Sequence, residues 1–171
     1  EKAKAYQESG WRITLDFPSY HAVITYAENR ALREKVYKAF CTRASDQSEL
    51  DKKYDNSEVM AEILKLRRQL AQLLGFNNYA EYSLEPKMAE STIQVINFIE
   101  QLIEKVRPAA EKDFAALKKF AKDLGQQVLA AWDVAFYSEK LQQHLFNISD
   151  EKLKEFFPLD HVLKSMFQVA E

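Results

Sequence analysis

Three histidines, one cysteine and two carboxylate-rich stretches are the residues of this chain with the widest chemical reach. His21, His144 and His161 are the nitrogen donors that a metal site would draw on. A catalytic zinc takes about three protein ligands, and helical sites often set two His one turn apart. No two of these His are near in sequence, and no H-E-x-x-H occurs. His144 stands beside Gln142 and Gln143, which are poor zinc ligands. Surface or core-edge histidine is therefore the reading. No catalytic and no metal-binding residue is assigned within the chain.

The carboxylates gather at Glu49, Asp51 and Asp55, and again at Asp150, Glu151 and Glu155. Sequence spacing does not identify a glycosidase-type pair, and lysines alternate with both groups, as on a solvated face. Ser45, Ser57 and Ser91 fall at caps or loops, with no G-x-S-x-G elbow and no Gly-rich phosphate loop. Cys41, between Phe40 and Thr42, reads as a small, buried or half-buried apolar residue near a helix end. A single cysteine allows no internal disulfide and fits a reducing compartment. Tyr79, Tyr82, Phe136 and Tyr137 offer rings that could line a peptide groove. At helical spacing such rings more often fill a core, so no substrate-binding residue is assigned.

The elements that must position these groups are helices. Val59, Ile63, Leu66, Leu70 and Leu73 step by four, three, four and three, which lines one face of a 3.6-residue turn. Asp55 or Asn56 caps the start of that helix, and Gly75 closes it. Before it, Pro18 opens a helix with Tyr20, Val23, Ile24 and Ala27 on its apolar side. Asn29 caps the next, with Leu32, Val36, Ala39 and Phe40 facing in. Residues 1–10 read as the tail of a helix stopped by Gly10, and Trp11 to Leu15 alternate as a short edge strand would.

After Gly75, Asn77 and Asn78 restart the chain and Pro86 breaks it. Ser91 caps a segment whose apolar residues keep helical spacing from Ile93 to Leu124. Pro108 should kink that segment or divide it at Arg107. Gly125 ends it. A helix over about 128–146 follows, re-initiated near Asp133. A short helix with Leu153, Phe156 and Phe157 ends at Pro158, and a last one carries Val162, Leu163, Met166 and Phe167. The expected fold is all-α: one irregular domain over residues 1–171, with seven or eight helices and a long helix pair around Pro108.

Composition agrees. The 171 residues are 47% hydrophobic and 29% charged, with only three Gly and four Pro, so few residues break helices. The formal net charge is −2 without a basic run, which argues against nucleic acid. No apolar run approaches the ~18 residues of a membrane span. The first residue is Glu rather than Met, no signal-peptide pattern follows it, and the chain reads as a piece of a longer protein.

Several phrases stand in a recognisable order. They are FPSY-x-x-VITYA, LRE-x-x-Y-x-A-x-x-TRAS, DN-x-E, LR-x-x-LA-x-LLGF-x-NYAEYSL, KMA, WD-x-x-FY and FFPLDHVLKSMF. Together they resemble the thimet oligopeptidase family of zinc peptidases over nearly the whole chain. The resemblance implies a largely helical clamshell with a deep channel that admits short, unstructured peptides, in the cytoplasm. It implies a zinc ion in the longer protein, held by an H-E-x-x-H helix and a later Glu, with Tyr and His groups steadying the oxyanion. None of those elements maps onto a residue of this sequence, so the chain alone is expected to bind no zinc and to be inactive. Two departures stand out: Phe136 precedes Tyr137 where the family often has two Tyr, on what would be an aromatic surface. Ser165 stands where it often has Gly.

The competing reading is a non-enzymatic helical module that binds a partner protein through an apolar groove. A domain cut from a clamshell would also expose apolar surface. Self-association, or a loosely ordered end at residues 1–15 or 158–171, is the expected consequence.

Overall fold

Helix boundaries in this chain sit where capping chemistry puts them. The computed structural model describes residues 12–48 and 52–170, and among these it holds eight α-helices, one short 3-10 turn and no strand. Helix α1 (Phe17–Tyr26) carries Pro18 in its first turn, where a missing N–H leaves no bond unmade. Helix α2 (Arg30–Cys41) is capped by Asn29, whose Oδ1 accepts from the Leu32 N–H at 3.0 Å. Helix α3 (Ser57–Leu73) follows the 3-10 turn Lys52–Tyr54. Of its two cap candidates the side chain used is Asp55, which accepts from the Ser57 N–H at 2.9 Å.

Gly75 ends α3 at φ +85°, in the left-handed region. The Phe76 N–H reaches back to the Ala71 carbonyl and the Gly75 N–H to that of Gln72, which satisfies two end carbonyls of the helix. Helix α4 (Tyr79–Leu84) is capped by Asn78, which accepts from the Glu81 N–H at 3.0 Å, while the Glu81 carboxylate accepts from both Asn77 and Asn78. Helix α5 (Thr92–Asp123) starts at Ser91, whose Oγ accepts from the Gln94 N–H. Helices α6 (Ala131–Phe146), α7 (Asp150–Lys154) and α8 (Leu159–Ala170) complete the order.

The described residues fall into two compact units. The first takes those of Glu1–Tyr37 and Leu117–Glu171. Its core is Leu117, Ala121, Phe136 and Tyr137, with Leu129, Val134 and Leu141 packed against them. Each fully buried large side chain there contributes roughly 1.5–3 kcal/mol of apolar burial. Helix α1 packs on α6 in this unit. The second unit is Lys38–Ala116. In it α3 packs on α4, Ala71 is fully buried, and Phe76, Tyr79 and Tyr82 form a tilted aromatic group with the Arg67 guanidinium 5.0 Å from the Tyr79 ring centre.

The backbone departs from the sequence expectations in three places. Pro108 lies inside a single helix, so α5 is not a pair divided at Arg107. Its turn is exposed, and water can serve the Glu104 carbonyl that the proline leaves without a donor. Arg12 to Leu15 form no strand, since a lone strand has no neighbour to bond with; Trp11 and the expected helix tail over 1–10 lie outside the described residues. Helix α7 stops at Lys154, and Phe156 and Phe157 follow in turns. Leu159–Ala170 form the last helix expected from Val162, Leu163, Met166 and Phe167.

Candidate functional site

The most organised polar group is built around Asp133, in the first turn of α6. Its side chain is fully buried. Oδ1 accepts from Arg33 Nη2 at 2.8 Å and from Arg30 Nε at 3.1 Å. Oδ2 accepts from Arg30 Nη2 at 2.8 Å and from the Ala130 N–H at 3.0 Å. The carboxylate thus holds a backbone donor of the helix start and two guanidinium groups at once.

Arg33 is 2% exposed and spends its remaining donors on carbonyls. Nη1 donates to Ala27 at 2.8 Å and Glu28 at 3.3 Å, and Nε to Trp132 at 3.3 Å. Its guanidinium carbon stands 4.0 Å from the centre of the Phe136 ring. Arg30, half-exposed, lies 5.6 Å from the Trp132 ring centre. Lys140 bonds Glu28 at 2.9 Å, and its Nζ lies 4.6 Å from the centre of the Phe136 ring.

Burial by itself would raise the Asp133 pKa. The bonds from Arg30, Arg33 and the Ala130 N–H outweigh it and hold the carboxyl below its usual range. The bond to Asp133 raises Arg30 above its usual value. The cluster joins the end of α1, the start of α2 and the start of α6. It is a structural clamp, and it leaves no free base to do chemistry.

Shallow open clefts occur among the described residues, and two of them adjoin these elements or those of the second unit. One, of about 500 Å³, sits beside α1 and α6 and is lined by Tyr26, Phe120, Glu139, Lys140 and His144. The other, of about 480 Å³, is lined in the second unit by Phe76, Glu81, Leu84, Lys87, Met88 and Thr92.

The residues singled out by type disperse. His21 is exposed on α1 with its ring 5.5 Å from Phe17. His144 is exposed on α6 against Phe120 at 5.3 Å, and His161 is exposed on α8. No group of three His, Cys, Asp or Glu able to hold a metal comes together among the described residues. The described residues bring together no donor set for the zinc that the resemblance implies for a longer protein. Cys41 is exposed. Ser45 and Ser57 bond within their own turns, to the Thr42 carbonyl and to Asp55. Glu49 and Asp51 lie outside the described residues.

Phe136 and Tyr137 are 4% and 8% exposed and belong to the core of the first unit, so the change from Tyr to Phe at 136 falls on interior rather than aromatic surface. Tyr79 and Tyr82 belong to the second unit.

Sequence comparison decides what such a scaffold is part of. The family model "Peptidase family M3" matches residues 23–171.

The chain belongs to peptidase family M3.

Oligopeptidase A of Salmonella typhimurium is 50% identical to this M3 chain over 171 residues, which is 99% of the chain and 25% of that protein. Oligopeptidase A of Escherichia coli K12 matches equally, at 50% over 171 residues, 99% of the chain and 25% of that protein. The probable cytosolic oligopeptidase A of Arabidopsis thaliana is 41% identical over 168 residues, 94% of the chain and 22% of that protein. Within family M3 the chain therefore resembles oligopeptidase A, as its phrases suggest. It spans about a quarter of the length of these relatives. No described helix is long and apolar enough to cross a membrane.

Proposed function

We propose that this chain is a helical part of the channel wall of an oligopeptidase A-like zinc metalloendopeptidase, which hydrolyses short, unstructured peptides in the cytoplasm. One observation carries the reading: half of the residues are identical to oligopeptidase A along 99% of the chain. On this reading the 171 residues form one helical portion of a peptidase domain. The zinc ligands and the base that activates water belong to sequence outside it. Two arginines and a buried carboxylate brace the scaffold and take no part in bond breaking.

Alone, the chain should neither bind zinc tightly nor cleave peptides. The test incubates a quenched fluorescent peptide with the purified chain and added zinc, prepared from a host lacking its own oligopeptidase. No turnover is expected. Turnover that a chelator abolishes and zinc restores would overturn this and point to His21, His144 and His161. The whole reading predicts H-E-x-x-H in the complete open reading frame. Its absence would favour the non-enzymatic partner-binding module.

A further inference from the structure

The cleft beside α1 and α6 is lined by polar groups whose bonding is incomplete. Glu139 lines it and is 6% exposed. Among the described residues its carboxylate accepts one bond, from Gln143 Nε2 to Oε1 at 2.7 Å, and Oε2 receives none. The adjacent cation, Lys140, is spent on Glu28 at 2.9 Å. A carboxylate withdrawn from water without a counter-charge is costly. Thr25 lines the same cleft at 6% exposure, and its Oγ1 has no hydrogen-bond partner among the described residues. Both groups can accept from an N–H, and an ionised carboxylate can do nothing else.

The rest of the lining suits a cation on an apolar stem. Lys140 Nζ already stands 4.6 Å from the centre of the Phe136 ring, as cations do on aromatic faces. Phe120, with the His144 ring 5.3 Å from it, and Leu124 supply apolar wall. Glu28 and Lys140 cancel, which leaves Glu139 as the uncompensated charge of the lining. It repels an anion and gives an uncharged body no ionic contact. The volume, about 500 Å³, lies within the range of small-ligand sites.

We infer that this cleft binds a primary ammonium ion carried on a short alkyl chain. The ammonium donates to Glu139 Oε2, with the Thr25 hydroxyl as its second acceptor, and the chain lies along Phe120 and Leu124. The site stands whether or not the peptidase reading does. A free amine and a lysine side chain share this chemistry, and the test tells them apart.

The test uses the protein encoded by the complete open reading frame and follows binding by calorimetry and ligand-observed NMR. The probes are n-hexylammonium, 1-hexanol, hexyltrimethylammonium and a lysine blocked at both backbone ends. n-Hexylammonium should bind at least about tenfold more tightly than 1-hexanol or hexyltrimethylammonium, as the loss of a charge-assisted hydrogen bond requires. Glu139→Gln keeps the size of the side chain and should weaken binding by a similar factor at unchanged melting temperature. Lys140→Met should tighten it, because a competing cation leaves the cleft; a merely structural role for Glu139 predicts no such gain. Should Glu139→Gln fold poorly, the ranking of the probes on the parent protein decides. Blocked lysine binding more tightly than n-hexylammonium assigns the site to a peptide side chain, and the reverse order to a free amine; both keep the ammonium. Equal binding of all probes, no binding of any, or unchanged affinity in a folded Glu139→Gln would overturn the inference.

Discussion

Arg33 and Asp133 meet at 2.8 Å with both side chains closed to water, one at 2% and the other at 0% exposure. Taking two charges out of solvent is costly, and it is offset here by short bonds on every side of the pair. The pair is therefore sensitive to the loss of one member.

Asp133→Ala leaves the Arg33 guanidinium buried without its counter-charge. We expect a loss of about 3–5 kcal/mol of folding stability, read from urea denaturation. Arg30→Ala, at the solvent edge of the same cluster, should cost far less. Equal effects would show that burial is not what sets the magnitude.

Stability should also fall in acid through this carboxyl. The folded state holds the Asp133 pKa below its ordinary value, so the unfolded chain binds the proton first as pH drops. The contribution is whole above the unfolded aspartate value of ~3.9 and is lost as pH falls below it toward the folded value. Urea midpoints measured from pH 7 down to pH 2 should decline more steeply for the parent chain than for Asp133→Asn. Arg30 shifts upward, so its contribution is lost only in strong alkali.

Gly75→Ala should destabilise although space is open around it. A Cβ there meets nothing within 4 Å, yet φ is +85°. The strain of a left-handed alanine is about 1–2 kcal/mol. Hydrogen exchange should show it as faster opening of the last turn of α3.

The isolated chain should self-associate. Ile96, Ile99, Ile103 and Val106 of α5 and Val59, Ile63, Leu66 and Leu70 of α3 are all 42% exposed or more. Sedimentation velocity should give a mass that rises with concentration, and Ile99→Glu together with Ile103→Lys should reduce that rise. A single monomeric species at the highest soluble concentration would contradict it.

Local chemistry made much of the fold legible. Pro18, Asn29, Gly75, Asn78, Ser91 and Gly125 act within four residues of their own positions, and the helices begin or end beside them. Periodicity also placed the stripe of α3 correctly as a helix face. It could not say that Val59, Ile63, Leu66, Leu70 and Leu73 would lie exposed, because a period reports a face and not its occupant. The clamp was illegible for a related reason. Arg30 and Arg33 read as ordinary helix charge, and nothing near them names Asp133. The one available signal was an acid in the first turn after Ala130, which marks a helix start and says nothing of two arginines. Tyr79 and Phe136 likewise looked alike in sequence, and only burial separates a half-open ring from a core one.

Arg33 and Asp133 are also 100 residues apart along the chain, and the stretch between them holds the whole of the second unit. The entropy of closing a ring that long grows only with the logarithm of its length, about 0.6 kcal/mol per doubling. Insertions in that stretch should leave the clamp nearly as easy to close. Synthesis imposes a different order. At roughly 5–20 residues per second, α2 leaves the ribosome some 5–20 s ahead of its counter-charge on α6. Until then the Arg33 guanidinium stays in water and α1 has no α6 to pack on. The helices made first are the ones locked late.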